Sequence, residues 1–542
     1  MQWLIPIIFF LSLVLAVLVL ICKFLGFFKR PCNVEANTIV LGIFHPYCHQ
    51  SGGGERVLWC AIRALVDCLD RIKKQHKGVK IHVFIYTGDV DISGKEILSR
   101  AQERFGITGL TDQNRVKIDF IYIRSRTLLE AKWYPRVTLV GQALGSILVA
   151  IECLFLALPD IWLDTTGAAF AYPVARFLGV PIIATYTHYP MISSDMLQAV
   201  AERRPGYNNA ALIAQSFTLT YFKLLYYKFV AWLYGCAGRE STLTIVNSSW
   251  TKAHIDNVWG LATKTIEKEE QVQNKQKQNS RKRSASLSSS KRRDSNLQTE
   301  SLQLQSDHVI HHSNSNLTKY PESVVVYPPC NTVDLESLPL TGRLRRVISI
   351  AQFRPEKDHP LQLRAFAAFK RSDETAFSDV ILQLVGGVRD EGDKARVDSL
   401  KALATELGIA NSVEFHVNLP YPKLRAMLGQ ATCSLHTMWN EHFGIVVVES
   451  MAAGCVTIAH RSGGPLSDII KHGETGFLAS TDQEYAQALI NIFTSRKSSK
   501  ADIEAIAKRG RIESRRFSEE IFQQDFSLHF SPLLELSLQT QR

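Results

Sequence analysis

Two glutamates eight positions apart are the side chains of this sequence best suited to chemistry. Glu441 lies in the polar segment 439–444, which predicts a loop, and Glu449 lies in the apolar run that follows, which predicts a buried helix. Because a helix has ~3.6 residues per turn, Glu449 would lie about two turns into that helix. A helix N-terminus favours phosphate, and a carboxylate can bind ribose hydroxyls. The pair therefore indicates a sugar-nucleotide site, although two unrelated surface glutamates would show the same spacing.

Basic residues that follow another predicted strand could bind the phosphates of such a ligand. Arg354 and Lys357 come after the predicted strand Arg346–Ala351. A guanidinium binds phosphate in a fork geometry, and an ammonium adds a point charge. Gly387 and Arg389 end the next strand and form a second turn that could face the phosphates. The alternative is a solvated basic loop.

A run of three glycines offers a further phosphate contact. Gly52, Gly53 and Gly54 lie between the first predicted strand, Thr38–Phe44, and the predicted helix Glu55–Leu69. Without Cβ atoms the backbone can approach a ligand closely and direct its amides at it. A tight strand–helix turn uses glycine as well, so it is the position after the first strand that favours a ligand loop.

The elements that must position these residues alternate between apolar strands and amphipathic helices, which predicts parallel α/β sheets. Residues 38–261 are predicted to form one doubly wound domain and residues 320–500 a second, with ligands at the carboxyl ends of the strands. Residues 501–542 are predicted to be helices that return toward the first domain. The predicted strands are Thr38–Phe44, Val79–Tyr86, Lys117–Ile123, Ile161–Asp164, Pro181–Tyr186, Leu243–Val246, Arg346–Ala351, Val380–Val385, Ser412–Phe415, Cys433–His436, Cys455–Ala459 and Gly476–Leu478.

Between the two domains, residues 262–319 form a basic segment rich in serine, glutamine and asparagine, with few large apolar residues. Such a segment cannot bury enough apolar surface to fold, so it is predicted to be a disordered insertion in a loop. No catalytic residue is expected in it.

The composition is that of a globular protein with a basic balance. Hydrophobic residues make up 46% of the chain, charged residues make up 21%, and the net charge is +11. This excess favours an anionic ligand or a membrane surface. The ten cysteines include no C-x-x-C pair and no Cys/His cluster at zinc-ligand spacing. They are predicted to be reduced, mostly buried thiols of a cytosolic protein.

The N-terminal residues 1–30 are predicted to hold a membrane anchor. Trp3–Cys22 is an almost unbroken apolar run, followed by Lys23, Lys29 and Arg30 and preceded by no basic residue. This pattern favours a retained span with the body on the cytoplasmic side rather than a cleaved signal peptide.

Two further apolar stretches could also meet a membrane. Val137–Leu158 is interrupted by Gln142 and Glu152, and a charge at mid-membrane is costly, so a core or interfacial helix is favoured over a second span. Ala210–Tyr234 combines aromatic residues and leucines with two lysines. It is either a helix lying among lipid headgroups or a core helix with solvated lysines.

The segments at the predicted strand ends carry a family resemblance. They resemble the retaining nucleotide-sugar glycosyltransferases of the GT-B class, in which two Rossmann-like domains face a cleft. The matching segments are Ile350–His359, Leu384–Arg389, His416–Leu419, Asn440–Glu449 and Ser462–Pro465. Together with the anchor, His45–Arg56 and Thr187–Pro190 narrow the resemblance. The chain is similar to the eukaryotic α1,2-mannosyltransferases that extend dolichol-diphosphate-linked oligosaccharides on the cytosolic face of the endoplasmic reticulum.

The resemblance implies catalytic roles for four side chains. Arg354 and Lys357 would neutralise the donor diphosphate, and Glu441 would bind the hydroxyls of the donor sugar. His188 would lie near the reacting sugar, with a packed core histidine as the alternative.

The resemblance also implies a donor-binding set. Glu449 would hold the ribose, and the segment from His416 to Asn418 would meet the guanine. The backbone at Phe443 and Gly444 would assist Glu441. The glycines 52–54 would lie over the diphosphate from the other domain, and Gly387 and Arg389 would complete the phosphate side.

The substrates implied by the resemblance are GDP-mannose and a dolichol-diphosphate oligosaccharide at a membrane, with other enzymes of the same pathway as partners and no nucleic acid. No cofactor and no metal ion are expected, because fixed cations at the leaving phosphate would stabilise the transition state. The D-x-D sequence at Asp89 and Asp91 is interpreted as a turn. The alternatives are another sugar nucleotide or lipid acceptor, or a non-catalytic membrane scaffold.

Overall fold

In the computed structural model of the chain, the described residues are 17–31, 34–35, 37–49, 52–73, 76–107, 115–135, 137–203, 215–261, 322–494 and 497–540. The predicted insertion 262–319 and residues 1–16 of the predicted anchor lie outside them. Residues 17–24 are helical.

The first sheet has seven parallel strands in the spatial order β3-β2-β1-β4-β5-β6-β7. Its central strand β1 is buried along its whole length, as expected of a strand covered on both faces by helices. The strands are β1 Thr38–Phe44, β2 Lys80–Thr87, β3 Val116–Tyr122, β4 Ile161–Asp164, β5 Ile182–Thr187, β6 Leu243–Val246 and β7 Val324–Val325.

Helices cover both faces of this sheet. On one face, α1 and α2 share an apolar core with β1 and β2. On the other face, α3, α4, α6 and α7 pack around Trp162 and Tyr172. The helices are α1 Gly53–Ile72, α2 Gly94–Phe105, α3 Thr138–Leu156, α4 Ala171–Leu178, α5 Ser194–Ala201, α6 Phe217–Gly238 and α7 Ser249–Trp259.

The second sheet has six parallel strands in the order β10-β9-β8-β11-β12-β13. Its strands are β8 Leu344–Ile350, β9 Ile381–Gly386, β10 Val413–Val417, β11 Ala431–His436, β12 Val456–His460 and β13 Phe477–Ala479. Its helices are α8 Thr332–Glu336, α9 His359–Ser372, α10 Glu391–Glu406, α11 Tyr421–Gln430, α12 Ile445–Ala452, α13 Asp482–Phe493 and α14 Lys497–Ser514. The prediction of two doubly wound domains is confirmed.

The chain passes between the domains at two points, and both refine the predicted boundaries. After residue 322 it re-enters the first sheet, where β7 pairs with β6, so a second domain starting at residue 320 begins too early. Of the last helices, α14 packs against α12 of the second domain, whereas α15, Glu519–Thr540, packs against α1 of the first. Phe522, Phe526 and Phe530 complete the first core. The returning element is therefore α15 alone.

Among the described residues, α3 is the one helix long and apolar enough to cross a membrane, and 44% of its most apolar window is buried within the protein. Glu152 on α3 accepts hydrogen bonds from the backbone amides of Arg124 (2.8 Å) and Ser125 (3.0 Å). The helix is therefore partly a core element of the first domain.

Candidate active site between the two domains

The donor-side candidates meet at the carboxyl edge of the second sheet. The strand order reverses between β8 and β11, and open parallel sheets bind ligands at such a switch point. Lys357 follows β8 and Glu441 follows β11, so the topology brings them together. The Lys357 Nζ donates to Glu441 Oε2 at 2.7 Å, and His436 Nε2 lies 3.1 Å from the same oxygen.

These neighbours determine the charge of Glu441. Burial alone would raise its pKa, but Lys357 and His436 outweigh that effect and hold the pKa of Glu441 well below its ordinary value. Glu441 is thus an ionised carboxylate at neutral pH. Such a group accepts hydrogen bonds and suits the hydroxyls of a sugar.

A neighbouring turn fixes the loop that carries Glu441. The amide of Asn440 donates to Ser462 Oγ at 2.8 Å, and the amide of Gly464 donates to the Glu441 carbonyl at 2.8 Å. A Cβ on Gly463 would lie 2.2 Å from that carbonyl oxygen. Glycine is therefore required for this close approach.

Arg354 lies in the same turn as Lys357 but is less fully engaged. Its nearest ion pair is with Glu356 at 3.9 Å. Its Nε is buried and has no hydrogen-bond partner within the described part of the chain. A buried donor without a partner costs free energy, so this nitrogen suits an incoming anion.

The carboxylate of Glu449 faces the first domain. Arg56 Nη1, on α1, lies 3.5 Å from Glu449 Oε1 and 3.6 Å from Glu519 Oε1 on α15. Burial raises the pKa of Glu449, and Arg56 opposes this shift. Sequence reasoning did not assign Arg56 a role, because its partner is 393 positions away.

The residues predicted to meet the base lie together at the β9–β10 edge. Asn418 Oδ1 accepts from the amide of Val388 at 3.0 Å and so braces the turn that contains Gly387. His416 Nε2 lies 3.1 Å from Glu414 Oε2. The Arg389 guanidinium donates to Asp393 at 2.9 Å. These contacts order the edge, and Arg389 already has a carboxylate partner.

The buried ring of Phe443 anchors the loop that carries Glu441. The ring packs against Tyr327 and Phe517, with centroids 5.7 and 5.3 Å away. Only its backbone remains for the predicted donor contact. Gly444 follows with φ of +112° and directly precedes α12, a conformation that favours glycine.

The first domain contributes a cavity of about 400 Å³ at its own switch point, between β1 and β4. Its lining comes from the ends of three strands and from the start of α1, and consists of His45, Tyr47, Gly54, Glu55, Thr165, Thr166 and His188. Gly54 and His188 were predicted from the sequence. Of the others, His45, Tyr47 and Glu55 lie in the segment His45–Arg56 that carried the family resemblance but had no assigned role, and Thr165 and Thr166 had not been selected. The sequence feature that could have found them is a polar residue directly after each central strand, namely His45 after β1 and Thr165 after β4.

His188 enters this cavity as a neutral imidazole. Burial and the nearby His45 lower the pKa of His188 to about 4. Its Nε2 is buried and has no hydrogen-bond partner in the described residues. A Cβ on Gly54 would lie 3.6 Å from that nitrogen, so the glycine run lies beside it. That nitrogen is therefore available to a hydroxyl.

The glycine run also reaches the second domain. A Cβ on Gly53 would lie 2.6 Å from Ile445 Cδ1, at the start of α12. Gly52 directly precedes α1, and its amide donates to Glu55 Oε2 at 2.8 Å. The three glycines thus lie between the cavity and α12.

Asp89 of the D-x-D sequence has a structural role in the first domain. The buried Asp89 carboxylate accepts from the amide of His49 at 3.1 Å, from Thr87 Oγ1 at 3.1 Å and from Arg126. These bonds anchor the loop that leads to the glycine run. Among the described residues, no group of three His, Cys, Asp or Glu side chains could hold a metal ion.

Two family models match the chain. ALG11 mannosyltransferase N-terminus matches residues 38–259, and glycosyl transferases group 1 matches residues 333–509. Among solved structures, a trehalose-6-phosphate protein from E. coli bound to UDP-2-fluoro glucose is 12% identical, with a TM-score of 0.56 over 91% of this chain and 99% of that one. Sucrose-phosphate synthase from Thermosynechococcus elongatus is 14% identical, with a TM-score of 0.53 over 92% and 100%. These likenesses show the fold.

Two curated relatives are much more similar in sequence. The GDP-Man:Man(3)GlcNAc(2)-PP-Dol alpha-1,2-mannosyltransferase of Homo sapiens is 38% identical over 501 residues, which cover 90% of this chain and 86% of the relative. The protein of the same name from Dictyostelium discoideum is 35% identical over 94% of this chain and 88% of the relative. The chain belongs to the ALG11 mannosyltransferase family and is a glycosyltransferase of the GT-B fold.

Proposed function

We propose that this enzyme transfers mannose from GDP-mannose, in α1,2 linkage, to a dolichol-diphosphate oligosaccharide that already carries three mannoses. The names of the human and Dictyostelium relatives support these substrates. The observation that carries the proposal is the contact between Lys357 and Glu441, 2.7 Å long, at the switch point of the second sheet. A cation beside an ionised carboxylate at such a switch point suits the phosphates and the hydroxyls of a sugar diphosphate.

The cations act on the leaving group. As the bond to mannose breaks, negative charge accumulates on the departing GDP, and fixed cations stabilise that state more than the ground state. Lys357 and the partnerless Nε of Arg354 fill this role. Because these groups supply the charge, the reaction needs no metal ion and no cofactor.

Glu441 acts by binding rather than by attack. Lys357 and His436 engage the same oxygen, Oε2, so the other oxygen accepts hydroxyls of the donor mannose. Glu449 and Arg56 lie beyond it, where α12 meets the first domain, and hold the ribose. The Asn418-braced turn and His416 meet the guanine.

The acceptor sugar occupies the cavity of the first domain. Its lining is hydroxyl-rich and includes Thr165, Thr166 and Tyr47, which suits an uncharged sugar. The neutral His188 accepts a hydrogen bond from a hydroxyl close to the reacting carbon. The glycine run lies between this cavity and α12 and directs the amides of Gly53 and Gly54, in the first turn of α1, toward the diphosphate.

The enzyme works at the cytosolic face of the endoplasmic reticulum membrane. On α6, large apolar side chains occupy one arc and are each more than half exposed: Phe217, Tyr221, Phe222, Leu225, Phe229 and Trp232. Exposed apolar patches of this kind mark membrane or protein contacts. The same helix has Lys223 and Lys228 and no acidic residue, which suits anionic headgroups.

The end of the predicted anchor lies on the same side of the first domain. Phe27 stacks on Phe155 of α3 with centroids 6.4 Å apart, and Lys23 Nζ lies 4.1 Å above the ring of Phe177 on α4. By contrast, the outer side of α1 on the opposite face carries the exposed Arg63 and Asp67. The α3/α6 face therefore lies against the membrane that holds the lipid acceptor.

The test is a transfer reaction with the full-length protein in detergent. GDP-mannose or UDP-glucose is offered with a short-chain lipid-diphosphate oligosaccharide, with and without EDTA, and the products are weighed by mass spectrometry. Added hexose is expected from GDP-mannose alone and to the same extent with EDTA. Transfer from UDP-glucose, or loss of transfer with EDTA, would contradict the proposed donor or the absence of a metal.

A further inference from the structure

Both residues that flank Glu441 are held by the first domain. Asn440 Nδ2 donates to the carboxylate of Asp195, on α5, at 2.5 Å. The His442 carbonyl accepts from Ser248 Oγ, at the start of α7, at 2.6 Å. The donor carboxylate thus lies on a loop whose two sides are anchored across the domain interface.

The anchoring residues belong to the segment that follows the cavity histidine. His188 directly follows β5, Tyr189 is next to it, and Asp195 lies in the first turn of α5. The Tyr189 ring stacks on His442 with centroids 5.0 Å apart and an interplanar angle of 13°. One short segment therefore contacts the acceptor cavity and both neighbours of the donor carboxylate.

A second layer from α7 holds Asp195 in place. His254 Nε2 lies 3.5 Å from Asp195 Oδ2, and His254 Nδ1 lies 2.6 Å from Ser194 Oγ. The hydrogen bond from His254 is the largest of the effects that lower the pKa of Asp195. An ionised carboxylate makes a stronger hydrogen bond to an amide than a neutral acceptor does.

The backbone of Asn440 has an unusual conformation beside this contact. Its φ is +51°, a left-handed conformation that is uncommon for residues other than glycine and that asparagine adopts more readily than most. Its amide is bonded to Ser462 within the second domain, but its side chain is bonded across the interface. Without Asp195, the orientation of the Asn440 peptide would be set from one side alone.

We propose that Asp195 is a positioning residue for the transfer reaction. Its carboxylate holds Asn440 from the first domain, so that the loop carrying Glu441 is positioned from both domains at once. The diphosphate is bound by Lys357 and Arg354 within the second domain, and its binding does not depend on this contact. This inference rests on the proposed function, because it assumes that Glu441 binds the donor sugar.

The experiment compares Asp195→Ala, Asn440→Ala and the double variant in the full-length protein. Initial rates of mannose transfer give kcat and KM, and calorimetry gives the affinity and stoichiometry of GDP binding. For Asp195→Ala we expect kcat to fall about tenfold or more, the scale of a hydrogen bond to a charged group, with GDP binding unchanged. Since both single changes remove one contact, the double variant should be no slower than Asn440→Ala.

Asp195→Asn and Gln198→Ala serve as controls. An asparagine keeps an acceptor oxygen for Asn440, so Asp195→Asn should recover a large part of kcat. Gln198 lies on the same helix and donates to Glu202 of the first domain, so Gln198→Ala should transfer mannose at the parent rate.

Two results would overturn the inference. One is a kcat within twofold of the parent for Asp195→Ala, and the other is a loss in the double variant equal to the product of the two single losses. A fall in GDP stoichiometry that matches the fall in kcat would also overturn it, since it would mean that the variant misfolds. If the parent itself transfers no mannose from GDP-mannose, the proposed function fails instead.

Discussion

The two switch points of the molecule have the same topology but different electrostatic character. In the second domain the site is charged and already paired, because Lys357 and His436 both engage Glu441. In the first domain the cavity has one carboxylate, Glu55, whose Oε1 lies 4.0 Å from His45 Nε2, and is otherwise lined by hydroxyl groups and a neutral His188, whose Nε2 has no partner among the described residues. A charged leaving group and an uncharged sugar need these different environments. One fold used twice can thus supply both halves of a transfer reaction.

Among the changes considered, the substitution of Lys357 in the second domain is expected to cause the largest loss of activity. Lys357→Ala leaves Glu441 and the leaving diphosphate without their nearest cation, so kcat should fall on the order of 10²–10³-fold, as for other preorganised electrostatic groups. Initial rates with GDP-mannose measure the effect. Lys370→Ala is the matched control. Lys370 lies in the last turn of α9 and donates to the carbonyl groups of Phe377 and Ser378 in the loop that follows this helix. A Lys357→Ala enzyme whose kcat stays within tenfold of the parent would remove Lys357 from the donor site.

Removal of the apolar surface of the first domain should have a smaller effect that depends on the acceptor. Phe222→Ser, Phe229→Ser and Trp232→Ser together remove three exposed aromatic rings from α6. Each ring that enters a membrane interface contributes about 1 kcal/mol or more. Transfer to a membrane-embedded acceptor should fall about tenfold or more.

A detergent-soluble acceptor with a short lipid chain distinguishes membrane contact from damage to the fold. The triple variant should transfer mannose to this acceptor at the parent rate. An equal loss with both acceptors would show that α6 supports the core rather than the membrane contact.

The smallest effect is expected from acid, because His188 is already neutral. An ordinary histidine has a pKa of about 6.5 and would be roughly nine-tenths protonated at pH 5.5. With a pKa of about 4, His188 stays neutral down to that pH, so its hydrogen-bond acceptor persists. The value of kcat/KM for the acceptor should therefore change less than twofold between pH 7.5 and 5.5.

The lowered pKa has a consequence for stability as well. Below about pH 6.5 the unfolded chain binds a proton at His188 that the folded chain does not, so this group destabilises the fold as the pH falls from 6.5 toward 4. A tenfold loss of kcat/KM between pH 7.5 and 5.5, with GDP binding unchanged, would show that His188 titrates as an ordinary histidine.

Local sequence was sufficient for the elements and for the residues next to them. Alternating apolar strands and amphipathic helices predicted both sheets, with strand ends within two residues of those observed. The placement of Lys357 after β8 and of Glu441 after β11 followed from the predicted strand ranges alone. Local sequence did not predict the contacts between distant segments, which are those of Arg56 with Glu449, of Asp195 with Asn440 and of β7 with the first sheet.

The sequence by itself determined the fold class and the family, because the period of apolar residues and the short motifs at strand ends act over a few positions. Only the tertiary structure decided which of these residues meet. It placed the ring of Phe443 in an aromatic cluster, brought Arg56 to Glu449 and left the Nε2 of His188 in a cavity. These contacts join segments that are far apart in the chain, and no local pattern records which distant segments meet.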